Sequence, residues 1–241
     1  MYAEAYRRGH SRVVAFMEGR DPEISVPATP LWSALDILRH LTGISADISD
    51  HIFDGFASDE WTRQQVESRR HLSAEEVVGE WNDVIGPASE LLDTISEMGL
   101  PETIASAAGL TSIKAVPPMA IGDILHHEFD LRNAYGDTQG RDLLDLHFSA
   151  SGHVKSLRGT YSVLGLPTIR VESTDAGMGW DVGFDEPVAT LRASSFELMR
   201  GIGGRRTRDE MGAMGWAGDP EPFLDSMVLP HLAMRETSLR E

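Results

Sequence analysis

The sequence predicts a helical bundle over residues 1–140 followed by a small α+β domain over residues 141–241. Three observations predict it. The 241 residues are long for one compact bundle and comfortable for two modest domains. Through the first part, apolar residues recur at helical spacing behind recognisable caps. Beyond about residue 141, short alternating segments bounded by Gly, Pro or Asp take over. The first part is therefore expected to be free of strands, and the two to join without a flexible linker.

Ala3 to Gly19 reads as the first helix, with Tyr6, Val13, Val14 and Met17 forming a stripe. The stretch Glu23 to Pro30 cannot continue it, because Pro27 and Pro30 lack donors and push their predecessors to extended angles. Ser33 and Asp36 form a capping box that opens a second helix. Leu35, Leu38, Leu41 and Ile44 supply its buried stripe, which is expected to continue through Ile48 and Ile52 to Gly55. Ser73 and Glu76 repeat the box ahead of Val77, Trp81, Val84, Ile85, Leu91 and Leu92, with Pro87 starting a new turn or kinking this third helix. After a glycine- and alanine-bearing connection, Pro117 and Pro118 open a fourth helix through Ile121, Ile124, Leu125 and Leu131 to Gly136. Four such helices make a bundle. Arg141 to Leu164 reads as helix, and Thr168–Glu172, Gly179–Gly183 and Val188–Arg192 read as strands. Ser195–Gly203 and Arg208–Met214 are again helical.

Composition narrows the function. A net charge of -17, from 38 acidic against 21 basic residues, repels nucleic-acid backbones and anionic membranes alike. No apolar run is long enough to span a bilayer and the first residues lack a signal-peptide apolar region, so the expected compartment is the cytoplasm. The absence of cysteine excludes disulfides, thiolate metal ligands and a protein-borne thiol nucleophile. Any metal must sit on His and carboxylate. Any thiol chemistry must come from a cofactor.

One spacing carries chemistry. Asp123 and His127 stand four apart on the fourth helix, which sets both on one face a turn apart. Imidazole with carboxylate suits zinc and related divalent ions, and a helix pair leaves coordination open to another ligand. Asp130, three beyond His127, is placed to accept the imidazole's other N–H and fix its tautomer. Taken alone, such a pair is more often a solvated polar face, and His40 between Leu38 and Leu41 is more often a hydrogen-bonded core histidine.

Several segments together resemble a known family. They are Val26-Pro27-Ala28-Thr29-Pro30-Leu31-Trp32-Ser33-Ala34-Leu35-Asp36-Ile37-Leu38-Arg39-His40-Leu41, Trp61-Thr62-Arg63-Gln64-Gln65-Val66, His127-Glu128-Phe129-Asp130, Phe196-Glu197-Leu198-Met199-Arg200-Gly201-Ile202-Gly203-Gly204-Arg205-Arg206 and Gly218-Asp219-Pro220-Glu221-Pro222. In this order they resemble the mycothiol-dependent maleylpyruvate isomerase family of the DinB-like metalloprotein superfamily, over nearly the whole chain.

The resemblance implies a DinB-like four-helix bundle followed by a sterol-carrier-like α+β domain. It implies a metal on one His of the second helix and a carboxylate-x-x-x-His pair of the last, positions matched by His40, Asp123 and His127. This chain departs from the family in carrying Asp123 where Glu is usual. It implies mycothiol as thiol cofactor, and a small electrophilic or unsaturated acidic substrate that is isomerised or takes up the thiol. Arg205 and Arg206 stand where it implies a basic contribution to catalysis; the alternative is that they complement a helix C-terminus. Trp32 and Trp61 are candidates for the pocket or the core, and His51, His71, His126 and His147 are spare histidines. Two other functions stay open: a binding protein that holds a metal or small ligand without turnover, and a metal-dependent hydrolase.

Overall fold

A computed structural model describes residues 1–241. The chain divides into two compact units, residues 1–138 and 139–241. In the first, α1 (Tyr2–Met17), α2 (Ala34–Ser49), α4 (Ala74–Thr94) and α5 (Val116–Ala134) are the long helices, and a shorter α3 (Asp59–Glu67) lies between α2 and α4 in sequence. Helix α2 packs on α4 and α5, and α1 packs on the same two, which closes the four into a bundle with α3 against α2.

The local chemistry starts these helices where the sequence places it. Ser33 Oγ accepts from Asp36 N and Asp36 Oδ2 accepts from Ser33 N, both at 3.2 Å, so α2 begins with two orphan donors satisfied. Ser73 and Glu76 do the same for α4. Pro117 and Pro118 occupy the first turn of α5, where a missing N–H costs nothing, and Gly136 beyond its end takes φ +69°. The α2 stripe of Leu35, Leu38, Leu41, Ile44 and Ile48 is buried throughout. Charged groups also bind the elements together. Glu128, fully buried on α5, accepts from Arg12 of α1 at 2.8 Å and from Arg132 at 3.2 Å. Arg39 of α2 donates to the carbonyls of Arg69, Arg70 and Leu72, stapling the connection between α3 and α4 to α2.

Three expectations for this unit are corrected. Strands are present before residue 140: β1 (Thr103–Ser106) and β2 (Gly109–Ser112) form an antiparallel hairpin where only a connection was expected. Its turn, Ala107–Ala108, is held by Ser106 Oγ, which accepts from Ala108 N at 3.1 Å. Helix α2 stops at Ser49 and does not reach Gly55, because His51 adopts a left-handed φ of +61°. Helix α3 is an additional element, capped by Ser58, whose hydroxyl accepts from Trp61 N, with Asp59 and Glu60 favourably placed at the N-terminal end of its dipole. Helix α4 runs through Pro87.

The second unit opens with α6 (Leu144–Leu164), ended by Gly165 at φ +63°. Strands β3 (Ile169–Ser173), β4 (Gly179–Val182), β5 (Ala189–Ala193) and β6 (Gly215–Ala217) form one sheet in the order β4-β3-β5-β6. The central β3 and β5 are parallel, and β4 and β6 flank them antiparallel. Ile169, Val171, Ala189, Leu191 and Ala193 alternate into the core. Helix α7 (Ser195–Ile202) packs on α6, and the short α8 (Arg208–Gly212) precedes β6. Strand β6, only three residues long, was not expected from sequence. No helix in either unit is long and apolar enough to cross a membrane.

Candidate metal centre

Helices α2 and α5 pack together, and the contact brings His40, Asp123 and His127 into one group whose ligand atoms all lie within 4.8 Å of one another. His40 Nε2 stands 3.5 Å from Asp123 Oδ2, and His127 Nε2 stands 3.6 Å from Asp123 Oδ1. In a tetrahedral zinc site with bonds near 2.1 Å the distance between donor atoms is about 3.4 Å, so each imidazole stands near such an edge from one carboxylate oxygen, His40 from Oδ2 and His127 from Oδ1. The donor types and their spread of no more than 4.8 Å fit a divalent cation.

The surroundings separate inside from outside. His40 and His127 are 4% and 5% exposed, whereas the Asp123 side chain keeps 34% of its surface. The two imidazoles meet edge to face with centroids 5.1 Å apart. Trp32 lies against both, at 5.2 Å from His40 and 5.9 Å from His127, and so lines the site. Trp61 is buried beside Phe56 at 4.8 Å and belongs to the core.

Each imidazole has a polar group behind it. His127 Nδ1 stands 3.2 Å from Oδ2 of the fully buried Asp130 without a hydrogen bond between them. His40 Nδ1 meets Gln65 Oε1 at 2.8 Å, and Gln65 Nε2 donates to Asp47 Oδ2 at 2.7 Å. Burial pushes the Asp47 carboxyl above its ordinary range, against the lowering influence of the Gln65 donor and of Arg69. Below the site, Tyr6 Oη and Trp81 Nε1 share Ser45 Oγ at 2.9 and 2.8 Å. Burial, opposed by the Ser45 hydrogen bond and reinforced by the charge of Asp123, raises the Tyr6 hydroxyl well above its ordinary value and keeps it protonated.

The remaining candidates sit elsewhere. Arg205 and Arg206 belong to the second unit, just beyond α7. Arg205 Nη1 donates to the Gly203 carbonyl at 3.0 Å. Arg206 is buried and spends its guanidinium on Glu197, at 2.7 and 2.9 Å, and on Glu241 at 2.7 Å. Those carboxylates raise its already high pKa further, against the lowering effect of burial. Among the spare histidines, His126 is buried, His51 and His71 are exposed, and His147 Nδ1 bonds Ser195 Oγ at 2.7 Å. Gln65, Asp47 and Gly43 were not singled out by any spacing rule, although Gln65 lies inside a segment that carries the family resemblance.

No family model matches the sequence, and no curated protein does. Among solved structures, the chain is similar to the crystal structure of the mycothiol-dependent maleylpyruvate isomerase, with 11% identity over 85% of this chain and 88% of that one at a TM-score of 0.60. It is also similar to a histidine-to-alanine mutant of that enzyme, with 10% identity over 84% and 88% at a TM-score of 0.57. At these identities the likeness is one of fold. The fold is a helical unit followed by a small α+β unit.

Proposed function

We propose that the chain is a metal-dependent enzyme that activates a low-molecular-weight thiol, mycothiol, to isomerise a maleylpyruvate-like unsaturated acid or to transfer the thiol to an electrophile. One observation carries the reading: a His–Asp–His set with both imidazoles buried, His40 hydrogen-bonded behind by Gln65, in a chain without cysteine. Zinc is the expected ion, on the preference of imidazole and carboxylate donors. Bound together, the ion and the thiol supply a nucleophile that persists at neutral pH and can add to, and leave, a conjugated double bond.

The chain's own residues do the rest. His40 and His127 would hold the cation through Nε2, with Gln65 hydrogen-bonded behind His40 and the Asp130 carboxylate behind His127. Asp123 contributes a negative charge and leaves the exposed side of the set open to an incoming group. Trp32 lays an apolar face over both imidazoles and excludes water there. Of the two arginines, Arg206 is committed to Glu197 and Glu241. Arg205 and Arg206 are kept as the candidate basic residues for catalysis that the family resemblance implies. The test is turnover of maleylpyruvate and of a simple electrophile by zinc-loaded protein, with and without mycothiol. Activity only with thiol supports the proposal. Activity without thiol points to the hydrolase, and binding without turnover to the storage or sensor reading.

A further inference from the structure

Helix α2 carries more than a ligand. His40, Gly43 and Asp47 are spaced i, i+3 and i+7, which sets them on one stripe of the helix. At the middle position a Cβ would stand 2.4 Å from Gln65 Cβ and 2.6 Å from its Cγ, so a side chain larger than glycine's would collide with the approaching α3. Through that gap α3 lays Gln65, 3% exposed, between the imidazole and the carboxylate. Arg69, just past α3, keeps the register: its Nη1 donates to the Gln65 carbonyl at 3.1 Å and its Nε to Glu80 Oε1 at 3.0 Å on α4.

The three groups have an order imposed by their chemistry. Asp47 Oδ2 accepts from the NH₂ end of the amide at 2.7 Å, which turns the carbonyl of Gln65 toward His40. A carbonyl only accepts, so His40 Nδ1 carries a proton, and in the neutral ring the lone pair falls on Nε2. Nε2 is the nitrogen that faces Asp123. A reversed amide would present N–H to Nδ1, move the proton to Nε2 and turn the ligand atom into a donor.

We propose that Gln65 is a positioning residue: oriented by Asp47 and admitted by Gly43, it locks His40 in the Nδ1–H tautomer that offers Nε2 to a cation. The consequence for metal binding rests on the function proposed above, whereas the tautomer is a property of the metal-free chain. His40 thereby differs from His127, whose Nδ1 faces a carboxylate directly.

The test uses the metal-free full-length chain with ¹⁵N-labelled histidine. Long-range ¹H–¹⁵N correlation reads which ring nitrogen of His40 carries the proton, and competition with a chromophoric chelator reads zinc affinity. Wild type is expected to show Nδ1–H. Gln65→Met, similar in size but without hydrogen-bonding ends, is expected to lose that preference and to bind zinc about 10- to 100-fold more weakly with the fold intact by circular dichroism. Asp47→Asn, which no longer dictates the amide's orientation, is expected to give a mixture of tautomers and a loss of no more than about tenfold. If Gln65→Met does not fold, Asp47→Asn decides alone. The inference is overturned by Nε2–H in the wild type, or by folded variants that keep Nδ1–H and wild-type zinc affinity. A wild type with Nδ1–H that binds no zinc upholds the tautomer lock and sinks the metal reading instead.

Discussion

Asp123 offers the sharpest perturbation, because the family this chain resembles usually carries Glu there. Its two oxygens stand 3.5 and 3.6 Å from the two Nε2 atoms, within about 0.2 Å of a tetrahedral edge. Asp123→Glu adds one C–C bond of about 1.5 Å, which would overrun the imidazoles if the chain stayed straight. The side chain is 34% exposed, so the extra methylene has room to fold outward. Zinc affinity of Asp123→Glu is therefore expected within about tenfold of wild type, or about 1.4 kcal/mol. Asp123→Ala removes a ligand and its charge together. Orienting partners alone are worth about 10- to 100-fold, so a direct ligand is expected to cost more than about 100-fold, or above about 2.7 kcal/mol. Chelator-competition titration measures both, with circular dichroism confirming the fold. Asp123→Ala binding zinc within about threefold of wild type would refute the assignment of Asp123 as a ligand.

Other outcomes follow from the same geometry. Asp130→Asn keeps the volume of a fully buried side chain beside His127 but removes its charge, and is expected to weaken zinc binding about 10- to 100-fold in the same titration. Arg206→Ala removes one partner of Glu197 and one of Glu241, which keeps Arg200, and is expected to destabilise the second unit by about 1–3 kcal/mol by denaturant melts. Burial holds His153 neutral, with its pKa lowered from 6.5 to about 4. The unfolded chain then takes up more protons than the native one between those values, so this contribution is intact above pH 6.5 and falls away as pH drops toward 4. The expected loss is about 1–3 kcal/mol, read from urea melts against pH, and His153→Gln should flatten it.

What was legible in the sequence was local. The boxes at Ser33 and Ser73 and the prolines of α5 satisfy helix ends with residues three apart or fewer, so their sequence signature and their structure coincide. The Asp123–His127 pair is local too, one turn on one helix. Strands β3 and β5 announced themselves because both are central, with alternate residues buried. Hairpin β1–β2 did not: of its eight residues only Ile104 is buried, Leu110 is exposed, and its Ala107–Ala108 turn lacks the Asn-Gly or Asp-Gly signal. Helix α3 is nine residues long and buries only Trp61, Gln65 and Val66, too few for a stripe. Gln65 illustrates the deeper reason. A neutral amide has no spacing signature, and its role exists only once Gly43 lets α3 approach α2. Trp32 and Trp61 were equivalent as letters and were separated only by tertiary placement.

The central claim is that His40, Asp123 and His127 hold a cation that activates a thiol. Its most direct test is the absorption spectrum of cobalt-substituted protein before and after mycothiol is added, with cobalt content measured on the same sample. The account predicts about one cobalt per chain and a new thiolate-to-cobalt charge-transfer band on adding mycothiol, both lost in His40→Ala. A spectrum unchanged by mycothiol contradicts thiol activation, and a cobalt content equal in wild type and His40→Ala contradicts the metal centre itself.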